Sequence, residues 1–158
     1  MEMSYEASDN LRAMLRRATI LEVDDAGSQQ TVRMRGLKGE EFTKVYRAQP
    51  HGFTSVPPAD SEAFLMALGG RSDRVVMIGG EHKDKRPVGL AAGATALYGA
   101  HGELVSLVQQ TVRVVGETVR VVASSKCIVE APRTDLGGEG GSKVMTEAGP
   151  SSKVFAIV

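Results

Sequence analysis

TVRVVGETVRVV (Thr111–Val122) carries one five-residue unit twice, at Thr111–Val115 and at Thr118–Val122, with Gly116-Glu117 between the copies. In each copy valine alternates with a polar side chain. Val112 and Val114 stand against Thr111 and Arg113, and Val119 and Val121 stand against Thr118 and Arg120. A period of two in β-branched residues reads as strand. The seven-residue spacing does not make a coiled coil, because Val, Thr and a central Gly are poor helix formers. The pattern predicts two β ribbons, each with a valine face.

Such ribbons do not hide their valine faces alone, and the residues that follow are rich in glycine. Repeats of this kind become stable by stacking on neighbours, in the same chain or in copies of it. Open strand edges also need closing. Two arrangements satisfy these needs. One is an oligomeric β-prism or β-helix with Val112, Val114, Val119, Val121 and, further on, Ile128 at a shared axis. The other is an ordinary β-hairpin packed on a monomeric core.

With 158 residues the chain holds one or two small domains. Lys+Arg and Asp+Glu are both 19, balanced at 13 each over residues 1–90 and 6 each over 91–158. This is not the footprint of a polycation that binds nucleic acid. There is no Trp, aromatics are 4%, and glycine is 18 of 158. Few aromatics and many glycines suit a β protein with tight turns and a slim core. Cys127 is the one cysteine, so no intrachain disulfide forms, in keeping with assembly in a reducing cytoplasm. Its run Lys126–Val129 leans apolar, which suggests a small buried side chain. No apolar run approaches the ~20 residues of a membrane helix, and no apolar signal core opens the chain.

Ser8–Arg17 is the one stretch that predicts a helix. Ser8 suits the N-cap, Asp9 the positive end, and Leu11, Met14 and Leu15 make an i, i+3, i+4 stripe. Two roles fit residues 1–17: an arm packed on the domain that follows, or a docking arm for a neighbouring subunit. Residues 18–92 then read as a small antiparallel barrel or sandwich. Strands are expected at Ala18–Val23, Gln30–Arg35, Phe42–Tyr46, Ala63–Leu68 and Val75–Ile78. The last two are continuous apolar runs, as in strands buried on both faces. Asp24–Gly27, Gly69–Asp73 and Gly79-Gly80 supply the turns. Five short strands in about 65 residues is the size of an OB-type barrel. Single-strand binders of that fold carry aromatics on a basic groove. Here Phe42, Tyr46, Phe53 and Phe64 alternate mostly into apolar positions in a neutral domain, so no nucleic acid is expected.

Four short motifs follow in order: His51–Pro58 (HGFTSVPP), Leu68–Asp73 (LGGRSD), Ile78–His82 (IGGEH) and Arg86–Leu90 (RPVGL), with Ala96-Leu97-Tyr98 beyond them. This order resembles the central spike proteins of Mu-like contractile phage tails, the baseplate assembly protein V type, over about residues 11–140. The resemblance implies an OB-like domain ahead of an intertwined β-helix, with three chains forming one needle. Residues 93–158 then make the shaft and tip, and the Thr111–Val122 repeat falls in the shaft. It implies a virion protein of the tail baseplate, assembled in the host cytoplasm. The partners are a tail hub protein and, transiently, the host envelope. The apolar end of the chain, Phe155, Ile157 and Val158, is expected at the tip.

The family often holds an iron ion on a His-x-His pair near the apex. This chain departs from that pattern, since His51, His82 and His101 are its only histidines. No metal and no cofactor are expected. There is no G-x-S-x-G, H-E-x-x-H, C-x-x-C or Walker loop. The acidic pairs Asp24-Asp25 and Glu40-Glu41 sit in turns, whereas glycosidase chemistry needs two carboxylates across a cleft. A non-enzymatic structural role is expected. The alternative of another class is an OB-fold module that binds nucleic acid or glycan.

Overall fold

The apolar alternation between residues 15 and 81 closes into a barrel. The structure is a computed structural model that describes residues 14–71 and 73–157. Strand β1 (Leu15–Asp24) is long enough for two partners. Its first half pairs with β4 (Glu62–Ala67), from Leu15↔Met66 to Thr19↔Glu62. Its second half pairs with β2 (Thr31–Arg35), from Thr19↔Arg35 to Asp24↔Thr31. A register shift between Ile20 and Glu22 marks the bend. Strands β3 (Glu41–Arg47) and β5 (Val75–Glu81) run parallel and complete a closed barrel in the order β1-β2-β3-β5-β4. A five-stranded closed barrel of this kind is OB-like.

The barrel core is aliphatic. Ala18, Ile20, Val32, Met34, Val45, Ala63, Leu65 and Met77 form one buried cluster, with Val23, Phe42 and Val75 at its margin. Full burial of each larger side chain is worth ~1.5–3 kcal/mol. No aromatic ring is fully buried in this cluster, as the composition implied.

Three expectations are corrected here. Leu15, Arg16 and Arg17 open strand β1 rather than closing a helix. Pairing with β4 overrides the local i, i+3, i+4 pattern there; positions 8–13 of the expected helix lie outside the described residues. Strands β4 and β5 are buried on one face only. Ala63, Leu65, Ala67 and Met77 point inward, and Phe64 and Ile78 are exposed. Gly79 and Gly80 belong to β5 rather than to a turn, at φ 92° and 115°, opposite a register shift at Glu62/Ala63. Glycine is required at position 80: a Cβ there would meet Pro57 Cγ at 3.0 Å with the backbone already left-handed.

The chain divides into two compact units after Val119. The first unit also holds an antiparallel sheet of β6 (Thr95–Tyr98), β7 (Leu104–Val108) and β8 (Thr111–Val115), in that order. The second unit holds β9 (Thr134–Leu136), β10 (Ser142–Thr146) and β11 (Gly149–Ala156), ordered β10-β11-β9, with β9 parallel to β11.

Candidate functional site

The first copy of the TVRVV repeat is strand β8, and its register with β7 and β6 shows what its valines join. Leu97, Val105 and Val114 lie in one cross-strand row, and Thr95, Leu107 and Val112 in the next. All six point to one face. Its five aliphatic side chains, Leu97, Val105, Leu107, Val112 and Val114, are between 38% and 68% exposed. The opposite face carries Ala96, Ser106 and Arg113 in one row, and Ser106 is buried there. The expected valine face therefore exists at Val112 and Val114. The sequence reading did not single out Leu97, Val105 and Leu107, because Tyr98, Leu104 and Val108 beside them blur the alternation.

This face is set by a tight turn between β6 and β7. The Glu103 carboxylate accepts the His101 N–H at 3.1 Å, and the Gly99 N–H donates to the Glu103 carbonyl at 2.9 Å. Hydrogen bonds from its own and the His101 backbone hold the Glu103 carboxyl below the usual carboxylate range. A Cβ at Gly99 would lie 2.3 Å from Glu103 Oε2, so a larger residue there would displace the Glu103 carboxylate from its hydrogen bond.

The second copy, Thr118–Val122, differs from the expectation. It forms no strand, and among the described residues no ladder includes residues 116–133. Val119, Val121, Val122, Ile128 and Val129 are all more than half exposed along it. The physical reason is that one chain supplies this stretch with no partner strand. Cys127, expected to be buried, is exposed. Eighteen residues without regular structure exceed even the long connections from Arg47 to Glu62 and from Glu81 to Thr95, and such a length is unusual.

In the second unit Arg133 organises the end of the chain. Its Nε and Nη2 donate to the two carboxylate oxygens of Asp135 at 2.9 and 2.8 Å, and its guanidinium lies 4.3 Å from the Phe155 ring centre. The Arg133 guanidinium holds the Asp135 carboxyl below its ordinary value. Phe155 is thus half-buried under a cation, and Ile157 is exposed. Val158 lies outside the described residues.

The motif block of the barrel has its own anchor, Arg47, which sequence reading passed over. Arg47 is buried at the end of β3 and donates to Gln30 Oε1 at 2.7 Å, to Gln49 Oε1 at 2.9 Å, to Ser55 Oγ at 2.9 Å and to the Gly79 carbonyl. It also donates to the Ser55 carbonyl. One side chain thereby ties the HGFTSVPP loop to β5. Burial pushes its guanidinium down from its ordinary value, against the pull of Asp25. Among the described residues no group of His, Cys, Asp and Glu is arranged to hold a metal ion, and no helix is long and apolar enough to cross a membrane.

Residues 17–84, essentially the barrel, match the family described as "Bacteriophage Mu Gp45, N-terminal". The chain is 29% identical over 130 residues to "Baseplate puncturing device gp45" of Escherichia phage Mu, covering 82% of this chain and 66% of that protein. It is 33% identical over 99 residues to "Mu-like prophage FluMu protein gp45" of Haemophilus influenzae, covering 63% of this chain and 54% of that protein. The chain thus spans between about half and two thirds of the length of these relatives. The resemblance to Mu-like baseplate spike proteins read from the four motifs is borne out by these matches.

Proposed function

We propose that the chain is a structural component of a contractile phage tail baseplate, a homotrimeric central spike that caps the tail tube and pierces the host envelope. The observation that carries this reading is the unpartnered apolar face of β6, β7 and β8, continued by the exposed valines of residues 116–133. Five aliphatic side chains about half exposed hold roughly 1 kcal/mol each in reserve, on the order of 5 kcal/mol per chain. That equals the whole stability of a marginal domain. Exposed apolar surface on this scale marks an interface.

In this reading Val112, Val114, Val119, Val121 and Ile128 face a shared three-fold axis, joined by Leu97, Val105 and Leu107. The second TVRVV copy gains its missing ladder from neighbouring chains and becomes part of an intertwined β-helical shaft. Residues 93–158 form shaft and tip, with Phe155, Ile157 and Val158 at the narrow end. The expected domain of residues 18–92, with Leu15–Arg17 now added to its first strand, forms the barrel that mounts the spike on a tail hub protein, and the residues before Leu15 form an arm ahead of it. The protein acts in the virion by transmitting force, after assembly in the host cytoplasm, and carries out no catalysis. The name of the phage Mu relative, a baseplate puncturing device, supports the role.

Light scattering on the purified chain tests it. A mass close to three times the 16.8 kDa chain is expected, with no folded monomeric shaft on dilution. A monomer that binds oligonucleotides or glycans would overturn the reading in favour of an OB-fold binding module.

A further inference from the structure

The barrel has two outer walls of opposite character. Where the end of β1, β2 and β3 form the wall, the outward side chains are charged. Arg33 pairs with Glu22 at 3.3 Å and with Glu41 at 3.0 Å, and Arg35 lies across from Glu41. Where the start of β1, β4 and β5 form it, they are apolar. Leu15, Met66 and Val76 make one cross-strand row, with Tyr46 of β3 beside Val76. Phe64 and Ile78 continue the next row from Arg17. Leu15, Tyr46, Phe64 and Ile78 are each more than 40% exposed. A groove of about 600 Å³ runs along Phe64 and Ile78.

Two features point to what covers the apolar wall. The first is its place on the chain. β5, a strand of this wall, is the strand from which the chain leaves the barrel, and thirteen residues separate Glu81 from Thr95 of β6. Those residues span at most ~45 Å. A trimer built on residues 93–158 therefore tethers three barrels to one axis, each by the strand that carries the wall. The second is charge. Arg17 pairs with Glu62 and Arg86 with Glu81 at the groove's edge, so identical walls meet without net repulsion between these groups. Size sets a condition. Two rows across three or four strands make a patch of about 250 Å², well short of the ~800 Å² each partner brings to a free-standing interface. Tethering removes that shortfall, because it holds the barrels at millimolar effective concentration.

We propose that the apolar walls of three barrels meet one another at the three-fold axis, with Phe64 and Ile78 of each copy against the same pair of its neighbours. The contact rests on the trimer reading and adds a second tier to it, in the barrel.

Replacing Ile78 with the photo-crosslinker benzoylphenylalanine in the full-length chain tests it. Irradiation should give products of two-chain and three-chain mass on a denaturing gel, joined at the peptide of another copy that contains Phe64 or position 78. Phe64→Glu lies outside the core and should reduce those products roughly tenfold by placing charge in the contact. Light scattering on Phe64→Glu should still report three chains, because the shaft holds them. Val121→Asp, which removes the tether, should abolish the products. Cross-links only within one chain, or only to other peptides of a neighbouring copy, would overturn the proposal. So would a yield unchanged in Phe64→Glu or in Val121→Asp. A monomeric mass for the unaltered chain would overturn the trimer itself, whereas three chain masses without these cross-links would overturn the wall contact alone.

Discussion

The barrel and the strands beyond it use the same alternating code with opposite results. All nine buried hydrophobic residues among those described lie between Ala18 and Met77. Beyond Met77, seventeen large hydrophobic side chains are exposed and none is buried among the described residues. In the barrel the first strand meets the last, so every inward-facing side chain finds cover within one chain. The sheet β6-β7-β8 ends in open edges, and its apolar face finds none. Alternation specifies that a face is apolar; closure of the sheet decides whether one chain suffices to bury it.

The largest effect should come from breaking assembly while sparing the barrel. Val121→Asp places one carboxylate per chain at the proposed axis, and an unpaired buried charge costs several kcal/mol each time. Loss of the trimer is expected in light scattering, with the barrel's far-ultraviolet spectrum retained. Arg120→Asp, on the alternate face, should leave the trimer intact. Equal effects of the two would show that inward and outward faces are misassigned.

Leu65→Ala makes the opposite cut. Leu65 is fully buried in the barrel, and such truncations cost ~2–5 kcal/mol. Thermal unfolding of the barrel should move down sharply, while the proposed shaft of residues 93–158 should keep the proposed trimer together and resist protease. Common loss of both would mean that the two regions fold as one cooperative unit.

How far the sequence disclosed this molecule follows the same division. Strands whose alternation is local, such as Thr31–Arg35 and Thr111–Val115, were legible within a residue or two. The strand at Leu15–Arg17 was hidden because its pairing with Met66, Leu65 and Phe64 is some fifty residues away, while a helical stripe lay nearby. Phe64 and Ile78 sat in continuous apolar runs, which by themselves do not separate a strand covered on both sides from one exposed on its outer wall. Arg47 was unreadable: a buried arginine satisfied by neutral acceptors has no sequence signature. In the proposed assembly surface, the valines announced themselves by repetition, and Leu97, Val105 and Leu107 emerged only from the register.

A smaller change sharpens the account of the barrel. Arg47→Met removes the donors that satisfy Gln30, Gln49, the Ser55 carbonyl and the Gly79 carbonyl. The Ser55 carbonyl and Gln49 Oε1 keep second donors in Gln30 Nε2 and the Ser55 N–H, so the main cost is the buried Gln30 Oε1 left unmatched, ~1–3 kcal/mol, with lost packing of the arginine stem added. A net loss of about 2–3 kcal/mol is expected in denaturant unfolding, with faster amide exchange confined to residues 49–57. Uniform exchange across the barrel would show that Arg47 acts on the whole fold rather than on that loop.

The smallest effect concerns acid and the second unit, in which no described residue is buried. Arg133 holds the Asp135 carboxyl below its ordinary value. A carboxyl depressed in the folded state contributes stability above the unfolded value, about 3.9. That contribution is lost as pH falls through the lower folded value. The pair is solvent-exposed, so its contribution is small and screened by salt. Carboxyl-carbon NMR should find the Asp135 midpoint below about 3.9, and Arg133→Leu should return it toward that value. The same variant uncovers the Phe155 ring, which the guanidinium otherwise overlies, so the ring's chemical shift should move with it. An Asp135 midpoint unchanged in Arg133→Leu would show that the fork is not formed in solution. The barrel, which has its own core, should show neither change, and that insensitivity is the control that separates the two regions.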